Sequence, residues 1–137
     1  MTGTSKTTYS TTKILNLLRA TNYTAPANVY VGLFTVMPAD DGTGGTEVTT
    51  VGTAYVRQAI TFGAPAAVSP TGMIVKNTAA VNFPTATADY GTCIGFGIWD
   101  AAAAGNMIYY ALLAQSLTIL NGQTRGFDVG DLTVSED

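Results

Sequence analysis

The chain has no histidine and one cysteine among its 137 residues. Without histidine it lacks the commonest general base, any Ser-His or Cys-His nucleophile pair and the usual zinc ligands. With Cys93 alone no internal disulfide can form. Cys93 falls in an apolar stretch with no basic neighbour to lower its pKa, the setting of an inert buried thiol. Charge is also scarce: 11% of residues are charged and the formal net charge is −3. The basic residues Lys6, Lys13, Arg19, Arg57, Lys76 and Arg125 are scattered. No basic stripe is available to neutralise phosphates, so nucleic acid is not an expected partner.

An uninterrupted hydrophobic run is missing too. The most apolar stretch, "FGIWDAAAAGNMIYYALLA" (96–114), carries Asp100 and Asn106 in its middle and no Lys or Arg at either flank. A membrane span needs about twenty apolar residues and interfacial anchors, so no membrane association is expected. A single helix is disfavoured by Gly95 and Gly97 and by the aromatic and β-branched residues on both sides of the alanines. The stretch reads as a buried hairpin: a strand over 92–100, a loop over 101–106 and a second strand over 107–114. After the initial methionine, "TGTSKTTYS" holds no apolar signal-peptide core, so the chain is expected to be made and kept in a cytoplasm unless something carries it out.

What the chain does contain is Thr, Ala and Gly in quantity and enough residues for one domain with a hydrophobic core. Few charges and many small side chains also suit a surface covered by neighbouring subunits. Residues 1–10 are polar and are expected to form a flexible arm, mobile or draped on a partner. In "STTKILNLLRATNY", Ile14, Leu17 and Leu18 recur at helical spacing. Ser10 can cap a helix over about 11–21, with Tyr9 packing on Ile14, Asn22 permitting a left-handed exit and Pro26 forbidding continuation. Beyond it the pattern turns to β. "NVYVGLFT" (28–35) is apolar on both faces and is expected to be covered on both. "TAYVRQAITF" (53–62) alternates, "MIVKN" and "AAVNF" are short strands, and "QSLTIL" and "FDVGDLTV" flank an "NGQ" turn at 121–123. Gly/Pro-rich segments separate them. Seven or eight short strands behind one helix predict a mainly β chain, residues 11–137 forming a single antiparallel β-sandwich or jelly-roll-like domain.

Chemistry is hard to find in this pattern. A carboxylate-pair glycosidase needs only two acids, and Asp40, Asp41, Glu47, Asp89 and Asp100 are the candidates. All lie in or beside predicted loops, where carboxylates are usually just solvated. "DDGTGGTE" (40–47) offers oxygens for a hard cation but misses the EF-hand offsets, and a surface loop accounts for it more simply. "GFG" (95–97) lacks the third glycine and the helix of a phosphate-binding loop. Its glycines instead let a backbone or an aromatic ring approach the strand. The aromatics Tyr30, Phe34, Tyr55, Phe62, Phe83, Phe96, Trp99, Tyr109 and Tyr110 could line a sugar-binding face, but in strands they belong more often to a core or a subunit contact. No catalytic, cofactor or metal residue is assigned, no cofactor is expected, and enzymatic activity is not expected.

The order of segments is more informative. "YTAP", "YVRQAITFGAP" and "NFPTATADYG", set between "ILNLLRATNYTAP" and the closing "GFDVGDLTV", give the chain from Ile14 onward a resemblance to small tailed-bacteriophage proteins labelled tail fibre or minor structural proteins. The resemblance implies a virion structural protein. A chain without heptads or fibrous repeats does not look like a whole fibre shaft. The expectation is therefore a capsid decoration or cement protein that clamps neighbouring capsid subunits. Its expected partners are the phage major capsid protein or other virion proteins, and a homotrimer follows by analogy with other cement proteins. The alternative is a tail- or fibre-associated adsorption module that binds a host glycan. The N-terminal arm and the 37–49 loop are the expected assembly contacts.

Overall fold

Apolar side chains at alternate positions with a covalently short reach between them produce hairpins first, and the longest hairpin organises this chain. A computed structural model describes residues 4–68 and 70–137. In chain order the elements are β1 (Ser5–Lys6), α1 (Thr8–Leu17), β2 (Val29–Val36), β3 (Thr46–Glu47), β4 (Gln58–Ile60), β5 (Ala66–Ala67), β6 (Met73–Lys76), β7 (Val81–Asn82), β8 (Gly91–Trp99), β9 (Met107–Ile119), β10 (Gly126–Phe127) and β11 (Thr133–Glu136). The main sheet runs β1-β9-β8-β2-β3, with β4 also paired to β2, and every strand pair in it is antiparallel. Two short antiparallel sheets, β10-β7 and β11-β6-β5, complete the molecule. The expected mainly β, antiparallel, single-domain chain with one N-terminal helix is what the structure shows.

One face of the main sheet forms the core. Val31, Leu33, Phe96, Ile98, Ala111 and Ile119 cluster there with Val81, Phe83, Tyr90, Leu132 and Val134 from the smaller sheets and their connections. Tyr55 lies stacked on Phe83 at 5.7 Å and edge-on to Tyr90 at 5.6 Å, so the largest rings interlock where the layers meet. The opposite face is lined by glycine, because Gly32 pairs with Gly97 and Phe34 pairs with Gly95. A Cβ on Gly97 would stand 2.8 Å from the Phe34 ring and 3.0 Å from Trp99 Nε1. The glycines of "GFG" thus admit aromatic rings to the strand, as the sequence suggests. β2 is buried on both faces from Val31 to Phe34.

Several elements differ from the sequence reading. The helix begins at Thr8, three residues before the expected start, and Thr7 rather than Ser10 is its N-cap. The Thr7 hydroxyl accepts from Ser10 N at 3.2 Å and donates to Met107 O at 2.6 Å, so a contact a hundred residues away selects the cap. The exit uses Ala20 at φ 56°, not Asn22. Of the expected flexible arm, Ser5–Lys6 is a strand on β9 and Thr8–Ser10 is helix; residues 1–3 lie outside the described residues. The strand expected over 53–62 is confined to Gln58–Ile60. Upstream of it the Tyr55 hydroxyl takes Leu33 N at 2.8 Å, and a side chain does there what a strand partner would do. "QSLTIL" is no separate strand but the end of β9. Cys93 pairs with Leu117 and Gly95 with Leu112, so residues 113–116 bulge out opposite Ile94.

The two ends of the described chain are stitched together. The Thr4 hydroxyl donates to Ser135 O and accepts from Ser135 N, each at 2.9 Å, and Lys6 Nζ meets Glu136 Oε2 at 2.6 Å.

Cys93 is fully buried, and burial raises its thiol to about 11 from 9.0. Burial also raises Tyr55, Tyr90 and Tyr109 above the ordinary tyrosine value. As pH climbs past 9 the unfolded chain loses protons that the native chain keeps, so the slope of stability with pH is negative. The urea midpoint is expected to hold steady to about pH 8.5 and to fall between pH 9 and 11. Thiol labelling at pH 8 should be negligible until the chain is unfolded; rapid labelling of the native protein would contradict this account.

Candidate assembly surface

The most constrained polar site is built around Arg57. Its Nε and Nη2 donate to the two carboxylate oxygens of Glu47, each at 2.8 Å. Nη1 donates to Ala101 O at 3.1 Å and Ala104 O at 2.7 Å, and the guanidinium lies 3.5 Å from the centroid of the Trp99 ring. Tyr55 OH completes the group by donating to Glu47 Oε1 at 2.9 Å. Burial first, and the Glu47 charge second, hold that phenol protonated. Gly32 makes room beneath: a Cβ there would stand 2.5 Å from Glu47 Oε1. The loop that Arg57 holds is turned by Ala104 and Gly105, both at positive φ, and by Asp100, whose carboxylate accepts from Asn106 N and Nδ2. Four guanidinium hydrogen bonds are thus spent on the protein itself, and the side chain fixes the "DAAAAGN" loop to the sheet.

The acids singled out from sequence are dispersed among such local duties. Asp40 accepts from the Tyr110 hydroxyl, Asp41 from Thr43 N and Oγ1, Glu47 from Arg57 and Tyr55, Asp89 from Asn121 N, and Asp100 from Asn106. Among the described residues no group of three or more His, Cys, Asp or Glu could hold a metal ion. None of the aromatics singled out is fully exposed; Phe34, Tyr55, Phe83 and Phe96 are buried and the rest are half-buried. No helix among the described residues is long and apolar enough to cross a membrane.

The two expected assembly segments meet. Thr8 N donates to Asp40 O at 2.8 Å, tying the start of the helix to the 37–49 loop. From this anchor α1 points its apolar residues away from the domain. Thr7 and Ser10 are buried, but Ile14, Leu15, Leu17 and Leu18 are 42%, 55%, 54% and 85% exposed. The helical face is as the spacing predicts, and the described residues leave it largely uncovered. The other exposed aliphatics lie elsewhere, Val51 and Val129 in loops and Val36, Met73 and Leu112 in strands. A groove of about 360 Å³ opens beside the β9 bulge, walled by Leu113, Leu117 and Phe127 with Asp131 at its side.

Sequence reasoning missed Asn77. Its fully engaged side chain donates from Nδ2 to Ala79 O and Asp128 O and accepts from Leu132 N at Oδ1, anchoring the turn that carries Asp131. An Asn in "VKNTA" gives no local sign of those partners.

A protein-family model described as Podophage GP4 fiber I protein gp80 matches residues 5–135. No curated protein matches the chain.

Proposed function

The chain belongs to the podophage fiber I protein gp80 family and is a virion structural component, and from that premise we propose that it is a non-enzymatic module of the tail fibre, joined through its apolar helix to other fibre subunits. The family description favours the fibre alternative over capsid cement. The observation that carries a joining role is the exposed aliphatic cluster on α1 together with the absence of any fully exposed aromatic among the described residues. Glycan platforms present aromatic faces to solvent; subunit contacts bury aliphatic ones. The missing histidine, and acids engaged in local hydrogen bonds, support a role by binding rather than catalysis.

Quantitative mass spectrometry of purified particles tests the location. The expected copy number matches that of the other tail proteins and is far below that of the major capsid protein. Parity with the major capsid protein would return the chain to the head as a decoration protein.

A further inference from the structure

We propose that the apolar ridge of α1 docks in the groove beside the β9 bulge of a second copy of this chain. The contact deepens the fibre reading and rests on it for its place in the particle.

An isolated helix of ten residues is marginal in water and draws its stability from packing of its apolar side. Here the first turn is held by Thr7 and Ser10, while Ile14, Leu15, Leu17 and Leu18 stay largely open to solvent. Four neighbouring exposed aliphatics form a patch, unlike the single exposed residues found on any surface.

The groove offers the matching chemistry. Leu113, Leu117 and Phe127 are half-buried and supply apolar walls, and Asp131 stands beside them with the exposed Asp128 three residues away. The charges complement one another. Lys6, Lys13 and Arg19 are the only charged residues before Asp40; Lys6 is paired with Glu136 and Lys13 lies over the Tyr9 ring, which leaves Arg19 as the cation beside the ridge. All nine acidic residues lie from Asp40 onward. Arg19, exposed just past the ridge, is placed to face Asp131 or Asp128 of the next copy. Both halves of the contact stand open in one chain, which makes a second copy the fitting occupant. The two surfaces differ, so the contact is heterologous and closes into a ring or continues as a filament according to its rotation.

The full chain is examined by light scattering after size exclusion, over a range of concentrations. The wild type is expected to associate. Leu18→Asp should weaken association by about a hundredfold or more while leaving the thermal midpoint of the monomer unchanged, because Leu18 is exposed. Arg19→Glu and Asp131→Arg should each weaken it a few-fold, and the pair together should restore it. Since Asp131 also accepts from Asp128 N, a second measurement does not depend on that substitution: Leu18→Cys chains mixed with Leu113→Cys chains should form a disulfide between copies that neither chain forms alone. A wild-type monomer at every concentration, an oligomer indifferent to Leu18→Asp, or a Leu18→Cys chain that crosslinks to itself would each overturn the contact. Capture of another virion protein by a monomeric chain through α1 would likewise replace the second copy. These outcomes are independent of copy number in the particle, so failure of the contact and failure of the fibre reading are separate results.

Discussion

Arg57→Ala is expected to lower the unfolding free energy by about 3–5 kcal/mol, the cost of removing one partner from a buried ion pair. The Arg57 side chain is only 9% exposed and that of Glu47 23%, so water replaces only part of what is lost. Glu47 would keep a charge without its counterion, Ala101 O and Ala104 O would lose their donor, and the Trp99 ring would lose the cation stacked on it. Against a typical total of about 5–15 kcal/mol, that is enough to depress the thermal midpoint by well over ten degrees or to leave the chain unfolded. Arg57→Lys should recover little, since an ammonium cannot bridge both carboxylate oxygens and two carbonyls at once. Removing Glu47 as well should cost less than the sum of the single losses, because the stranded charge disappears with it. A loss under about 1 kcal/mol by chemical denaturation would show that the pair is effectively solvated and that the loop is fixed by other contacts.

Asn77→Ala comes next, with an expected loss of about 2–4 kcal/mol. Leu132 N would be left buried without an acceptor, Ala79 O would lose the Asn77 donor, and Asp128 O would keep only Asp131 N. Asn77→Asp is the sharper test. It preserves the acceptor for Leu132 N but presents oxygen to two carbonyl oxygens, so it should destabilise at neutral pH and improve as the carboxyl is protonated. An aspartate variant as stable as the wild type at pH 7 would contradict the assigned hydrogen bonds. Because Asn77 holds the turn bearing Asp131, its loss should also loosen the groove, seen as faster amide exchange over residues 128–132.

The elements legible in the sequence are those fixed by local pattern. β2 and the β8–β9 hairpin follow from runs of β-branched and aromatic residues, and a helix near Ile14–Leu18 follows from spacing. Its start was not legible, because Thr7 and Ser10 are both competent caps and the choice depends on Met107 O across the sheet. The alternation in 53–57 looks like a strand because periodicity cannot show that the Tyr55 hydroxyl occupies the place of a strand partner. The bulge at 113–116 carries no glycine or proline to announce it. The candidate surface was half legible. Spacing predicts an apolar helical face, but whether the same chain covers that face is a tertiary fact. Glu47 illustrates the converse: read beside Asp40 and Asp41 it belongs to an acidic loop, and only the fold places it against Arg57.

The stitched ends have a mechanical consequence. A pull applied to Thr4 and Ser135 in opposite directions starts at adjacent points, so its load falls first on the Thr4 hydroxyl and the Lys6–Glu136 pair. Those ties open one after another, as a zipper does, while β2, β8 and the rings around Tyr55 remain outside the path of the force. A pull entering through α1 would instead bear on the Thr7 cap and the long β9 strand, loading many hydrogen bonds at once. The domain is therefore soft toward its own ends and stiff toward its helix, and a subunit under tension in a particle would need to be held by the latter.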